Sequence, residues 1–237
     1  MQATLIITRY KTWAVPFAFI SMAIFRLPLF FNKNLSFYKL LGSGKNGSFD
    51  KTPDLHQWAI LCAYKDNIAL KNNTFPEQIL GKFICSWFKL FAVETFTISL
   101  EPIAGHGLWD KKEVFGQFEK NITYEGPVAT LTRATIRLSK LKYFWEHVAP
   151  ITLKMNTAKG YVFSIGIGEI PWIKQATFSI WESVDDMKAF AYGMREHSEV
   201  IKKTRQQQWY SEDMFVRFKI TGSTGTIKGT NPLERIL

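Results

Sequence analysis

The 237-residue chain has only two cysteines, Cys62 and Cys85, and neither belongs to a Cys-x-x-Cys pair. That count argues against a disulfide framework or a thiolate zinc site and favours a reducing compartment. No uncharged apolar run reaches 18 residues. The longest, Trp13 to Phe25, has 13 and ends at Arg26, too short to span a bilayer in the ordinary way. A secretory cleavage site is missing too, because Arg26-Leu27-Pro28 follows where small residues belong. The four histidines, His56, His106, His147 and His197, are not paired at metal-ligand spacing, so zinc hydrolase and non-haem iron chemistry have no local support. There is no Gly-x-Ser-x-Gly elbow. Neither Gly42-Ser43-Gly44 nor Gly166-Ile167-Gly168 continues into a phosphate-binding loop.

What is present is charge of one sign and many aromatics. The net charge is +10, with aromatics at 15%. Residues 1–125 carry 14 basic against 10 acidic residues and 126–237 carry 16 against 10, so neither half is a basic module for nucleic acid. The first 49 residues hold six cations and no acid. Their apolar run has two stripes, one through Trp13, Phe17, Ile24 and Phe31 and another through Val15, Phe19, Met22 and Phe30. It reads either as a core helix with a basic rim or as an interfacial helix near anionic head groups.

The chain reads as one unit written twice. Thr8-Arg9 recurs as Thr132-Arg133, and Gly42-x-Gly44 as Gly166-x-Gly168, both at an offset of 124. Each half predicts a strand (4–10; 128–137), a helix (12–30; 139–155), a strand ending in Gly-x-Gly, a further strand (57–64; 175–182), helical stretches and a closing strand (93–100; 213–220). That order is the split-βαβ, ferredoxin-like unit. Two such sheets bury their open faces against each other, giving an α+β fold of tandem ferredoxin-like halves in a single-chain, dimeric-type barrel. The expected divisions are 1–100, a connector 101–127, and 128–237. The paired glycines read as bends in barrel strands.

Among candidate chemical residues, His106 reads as a surface turn residue and His147 as a helical side chain pairing with a nearby acid. His197 opens a basic stretch, expected to be helical, that runs to Trp209. It is either a solvated helix N-terminus or a single imidazole able to hold haem iron.

The run from Gly166 through Glu169, Pro171, Trp172 and Phe178 to Trp181, then Met187, Phe190, His197, Trp209 and Glu212, resembles the spheroidene monooxygenase family of carotenoid biosynthesis. The likeness extends upstream through Phe37 to Gly44 and Leu131 to Arg137. It implies an oxygenase of acyclic carotenoid ends that acts at carbon 2, with haem b, dioxygen and electrons from a reduced ferredoxin. His197 inherits the proposed iron-ligand role, with Lys202, Lys203, Arg205 and Trp209 beside the cofactor. Arg133 and Arg217 are candidate donors toward bound oxygen or a propionate. The substrate class implies a cytoplasmic protein held peripherally at the inner membrane, and dimerisation stays open. Two other readings remain, a cofactor-free oxygenase of another hydrophobic substrate and a non-catalytic haem or lipid carrier.

Overall fold

The computed structural model describes residues 1–45, 51–65, 75–118, 124–193, 203, 204 and 206–237, with the backbone alone at 75 and 148–153. In β1 (Gln2–Tyr10), alternate side chains point to opposite faces, and nearly all of both sets are buried. The strand is therefore covered on two sides. Ala3, Leu5 and Ile7 face inward, while Ile6 and Tyr10 face a helical layer.

The other strands are β2 (Leu35–Gly44), β3 (Pro53–Tyr64), β4 (Ala92–Gly107), β5 (Val128–Ile136), β6 (Tyr161–Ile170), β7 (Lys174–Trp181) and β8 (Tyr210–Gly225). They close a barrel in the order β1-β3-β2-β6-β7-β5-β8-β4, every neighbouring pair antiparallel. Leu61, Phe96, Ile98, Leu131, Phe178 and Phe218, each no more than 1% exposed, fill its interior. The barrel is a packed core, not a channel. β4 and β8 outrun their expected spans of 93–100 and 213–220. Pairing of Phe96–Gly107 with Met214–Gly225 joins the halves, so the connector begins after Gly107 and not at Glu101.

Helices α1 (Val15–Ile24), α2 (Arg26–Phe31) and α3 (Phe75–Phe91) cover the first half; α4 (Leu141–Met155) and α5 (Val184–Gly193) belong to the second. Gly81, at φ 80°, breaks α3. The chain is helical from Thr12 to Phe31, because Pro28 falls in the first turn of α2, where a missing N–H is tolerated. That 20-residue stretch is long and apolar enough to cross a membrane by length and composition. The charge-free run of 13 underestimated it, since Arg26 does not end the helix.

Both halves run strand, helix, strand, strand, helix, strand, and their ladders share one register. Leu5 pairs with Ile98 where Leu131 pairs with Val216, and both ladders shift just before Tyr10/Ala92 and Ile136/Tyr210. The offsets are therefore 131 − 5 = 126 and 216 − 98 = 118. The bulges at Leu35/Phe37 and Gly42/Gly44 recur at Tyr161/Phe163 and Gly168/Ile170, again at 126. Ile60 pairs with Leu40, and Thr177 with Gly166. The third strands therefore correspond at 177 − 60 = 117. Gly107 and Gly225 correspond as well; both have positive φ, and a Cβ there would meet the carbonyl of Asp213 at 2.2 Å or of Thr95 at 1.9 Å.

These registers correct the offset of 124 read from Thr-Arg and Gly-x-Gly. Arg133 stands where the first half has Ile7, not Arg9, and Gly42 corresponds to Gly168, with which it also pairs, not to Gly166. The short sequence repeats lie two residues away from the bulges that fix strand pairing. Because both offsets are even, inward and outward faces are unaffected.

Candidate functional site

In register, the two halves differ most on the outer face of the sheet. The first half has Ile6, Leu40 and Ile60 at the centre of that face, within one continuous apolar cluster that includes Phe25, Ile84 and Phe88. The second half has Thr132, Gly166 and Thr177 at the same positions. Cys62 corresponds to Ser179 and Ser99 to Arg217. The second apolar layer is accordingly split. Val128, Trp181, Met187 and Phe190 form one cluster, and Ile136, Phe144, Trp145 and Trp209 form another. Between them lies a shelf of small and hydroxyl side chains, in which the Thr177 hydroxyl is buried with no partner among the described residues and Thr132 is exposed. A buried hydroxyl without a partner costs about 1 to 3 kcal/mol, which a bound group can relieve. Arg217 lies at one side of the shelf, opposite Thr130. Among the described residues it takes part in no ion pair.

The barrel interior carries a second unusual cluster at one end. Arg133, 1% exposed, holds Glu212, with Glu169 at 3.4 Å and Asp110 at 4.0 Å, and its guanidinium lies 5.4 Å from the Trp109 ring centre. Lys39 reaches in from β2 to Asp110 and Glu169, and Lys174 meets Asp110 at 3.2 Å. Trp109 Nε1 donates to Glu169 at 2.8 Å. The amides of Asp110 and Lys111 donate to Glu212 at 3.1 and 2.7 Å, much as those of Lys228 and Gly229 donate to Glu94 at 2.7 and 2.9 Å at the other end of the barrel. There Ile7, Ser43 and Gln57 stand in for Arg133, Glu169 and Lys174. Three cations and three carboxylates thus neutralise each other at one end only.

Burial pushes the Glu212 carboxyl up, but the Lys111 amide and Arg133 together hold it below its usual range. Lys39 and Lys174 do the same for Asp110 against its own burial. A depressed carboxyl adds stability that is complete above its unfolded pKa and lost as pH falls through the folded one. Thermal melts should therefore show stability falling below about pH 4.5, the unfolded glutamate range. Arg133→Met should flatten that slope and destabilise by about 3 to 5 kcal/mol at neutral pH in urea unfolding, because Glu212 loses its cation and three carboxylates are left against two cations. Adding Glu212→Gln should recover part of the loss. A silent Arg133→Met would show that the cluster contributes no stability.

The sequence nominees fall into three places. Arg133 is inside the barrel and Arg217 on its outer face, so the two do not meet. Trp209 is 1% exposed, its indole donating to Gln207 Oε1 at 2.9 Å and packing against α4. It is a wall of the shelf, not a free donor. His197, Lys202 and Arg205 lie outside the described residues. Of the helix expected over 197–209, Lys203, Thr204 and Gln206 are described and helical, and the chain is extended from Tyr210. His106 is not a turn residue but lies in β4, its ring 5.8 Å from Phe215. Among the described residues His147 pairs with no acid; its Nδ1 meets the Tyr143 carbonyl at 2.8 Å and its ring lies 5.5 Å from Trp209. Thr132, Thr177 and Ser179 went unnoticed, since a hydroxyl on a strand attracts attention only when its counterpart is known to be apolar.

No protein-family model matches the chain. Three curated proteins do. Spheroidene monooxygenase of Rhodobacter capsulatus is 33% identical over 223 residues, covering 94% of this chain and 90% of its own. The chain belongs to the spheroidene monooxygenase family. The protein of that name from Cereibacter sphaeroides is 34% identical over 90% of this chain, which spans 64% of its length, and that from Rubrivivax gelatinosus is 31% identical over 81%. Among solved structures, aldoxime dehydratase in complex with butyraldoxime shares the fold of this spheroidene monooxygenase relative at TM-score 0.59 and 8% identity, covering 92% of this chain and 79% of that one.

Proposed function

We propose that the protein is a carotenoid monooxygenase that inserts one oxygen atom at carbon 2 of an acyclic end group, giving the alcohol or, after a second round, the ketone. The observation that carries this reading is its likeness, over most of its length, to relatives that share one enzyme name. The balance is one C–H bond and one dioxygen, with two electrons and two protons, giving C–OH and water. A reduced ferredoxin suits the electron supply, and the net charge of +10 suits an anionic donor.

The barrel is read as two fused ferredoxin-like halves, of which the second has exchanged its outer apolar core for a binding shelf. The packed interior leaves no room for a cofactor, whereas the shelf fits haem b by its small side chains, its unpartnered Thr177 hydroxyl and the Arg217 cation beside it. Haem bound there supplies an oxidant strong enough for an unactivated C–H bond, which acid–base side chains cannot. Phe190 and Trp209 pack in the clusters on either side of the shelf, and His197 falls in the stretch of sequence between them. That position supports His197 as the iron ligand, with Lys202 and Arg205 toward the propionates. Arg217 would bind a propionate or orient oxygen, while the indole of Trp209 keeps water out. Arg133 acts through the ion cluster as a positioning residue.

Turnover of spheroidene in detergent, with haem, a reduced ferredoxin and isotope-labelled dioxygen, tests the reading. One labelled oxygen per product molecule is expected. Oxygenation by colourless, haem-free protein would replace it with a cofactor-free mechanism, and haem binding without turnover would leave a carrier.

A further inference from the structure

The N-terminal helices are apolar on both their inner and outer sides. Their inner side packs on the barrel through Ala14, Ala18, Phe25 and Leu29, each 1% exposed or less, and buries a serine, Ser21, whose hydroxyl accepts a bond from Tyr10 at 3.2 Å. Their outer side is apolar. Trp13, Phe19, Ile20, Leu27, Phe30 and Phe31 are 47 to 72% exposed and recur at helical spacing. Phe83, Leu90 and Val93, at or beyond the outer side of α3, continue the patch; Phe83 lies 6.2 Å from Phe25, and Lys11 Nζ bonds the Leu90 carbonyl at 2.9 Å. Contiguous exposed apolar surface of this kind marks an interaction site. The fold does not require it, because α4, which holds the same place in the second half, exposes Lys142, Tyr143 and Glu146 instead.

Charge selects the occupant. No acid occurs before Asp50, and exposed Arg26, Lys33, Lys82 and Lys89 lie on the helices that carry the patch or directly beside them; among the described residues, of these only Lys89 approaches a carboxylate, Glu77 at 3.7 Å. We infer that α1, α2 and the outer side of α3 form a docking face for an anionic lipid bilayer, lying in its surface plane. An apolar stripe flanked by cations meets acyl chains and acidic head groups together. The stretch from Thr12 to Phe31 does not span the membrane, since doing so would strip Phe25 and Leu29 from the core and break the bonds from Tyr38 to the Arg26 carbonyl and from Asn32 to the Ile79 carbonyl. The docking face does not depend on the reaction proposed above.

The test is flotation of the purified full chain with vesicles of phosphatidylethanolamine and phosphatidylglycerol, without substrate or cofactor. The bound fraction should be high and should fall with salt. The double variant Phe30→Ser/Phe31→Ser, altered only at side chains more than 70% exposed, should keep the wild-type melting temperature and bind at least tenfold more weakly. Arg26→Glu with Lys33→Glu should weaken binding to anionic vesicles and leave binding to neutral phosphatidylcholine vesicles unchanged. In case the serine variants fail to fold, brominated lipids offer a readout on folded protein, quenching wild-type tryptophan fluorescence more than that of Trp13→Phe. Wild-type protein that does not float, serine variants that float equally, or a concentration-dependent dimer that the serine variants dissociate while lipid binding persists would each overturn the bilayer assignment.

Discussion

His197→Ala protein, refolded or reconstituted with haem, should lack the Soret band of the wild type, or show it shifted and restored by added imidazole. His56→Ala, His106→Ala and His147→Ala should keep it. The expectation rests on what each ring can do. His56 and His106 sit on strands, with His106 against Phe215, and neither lies between the two apolar clusters that bound the shelf. His147 is the serious rival. It stands next to Trp209, and with Nδ1–H donated to the Tyr143 carbonyl its Nε2 keeps the lone pair a metal needs. A neutral imidazole is required in either case. The spectra decide between the rings. Loss in His147→Ala with retention in His197→Ala would move the ligand to α4 and leave the shelf in place. Loss in neither would place haem elsewhere or nowhere.

The sequence made the element order legible because strand alternation and helix spacing are local signals, and each half repeats them. The length of β4 and β8 was not legible. Glu101-Pro102-Ile103 and Gly105-His106-Gly107 look like a connector, and they are extended only because β8 pairs along them, a contact between residues more than 100 positions apart. The pairing register failed in the same way. Thr-Arg and Gly-x-Gly are conspicuous, but bulges at Tyr10, Gly42 and their counterparts set which residues face one another, and a bulge has no letter in the sequence. That two-residue error hid the shelf. At an offset of 124, Thr132 falls opposite Thr8 and looks unchanged; at 126 it falls opposite Ile6, and the loss of a core isoleucine becomes visible. Arg133 shows the converse. Its motif drew attention to it, yet its guanidinium is committed to Glu169, Glu212 and the Trp109 ring inside the barrel.

Restoring the first-half residues on the shelf, as Thr132→Ile and Thr177→Ile, should abolish function without harming the fold. In the first half, Ile6 and Ile60 occupy these positions beneath α1 and α3 at 1% and 4% exposure, so the backbone of this sheet accepts isoleucine there. If the space above Thr132 and Thr177 belongs to a ligand, the added methylenes fill it in the free protein and gain up to about 0.8 kcal/mol per buried CH₂. They also remove the unpartnered Thr177 hydroxyl. The urea midpoint should then stay level or rise, while turnover falls on the order of a hundredfold, because a bound group displaced by even an ångström loses its reacting geometry. The reverse exchange, Ile6→Thr with Ile60→Thr, supplies the control. It opens the first-half core, should cost several kcal/mol of stability, and should leave the spectrum of the surviving folded protein unchanged. If instead the isoleucine variants lose stability through overpacking, about 1 to 3 kcal/mol, the helical layer already fills the space above the shelf. If they are stable and fully active, the ligand binds somewhere other than between these two clusters.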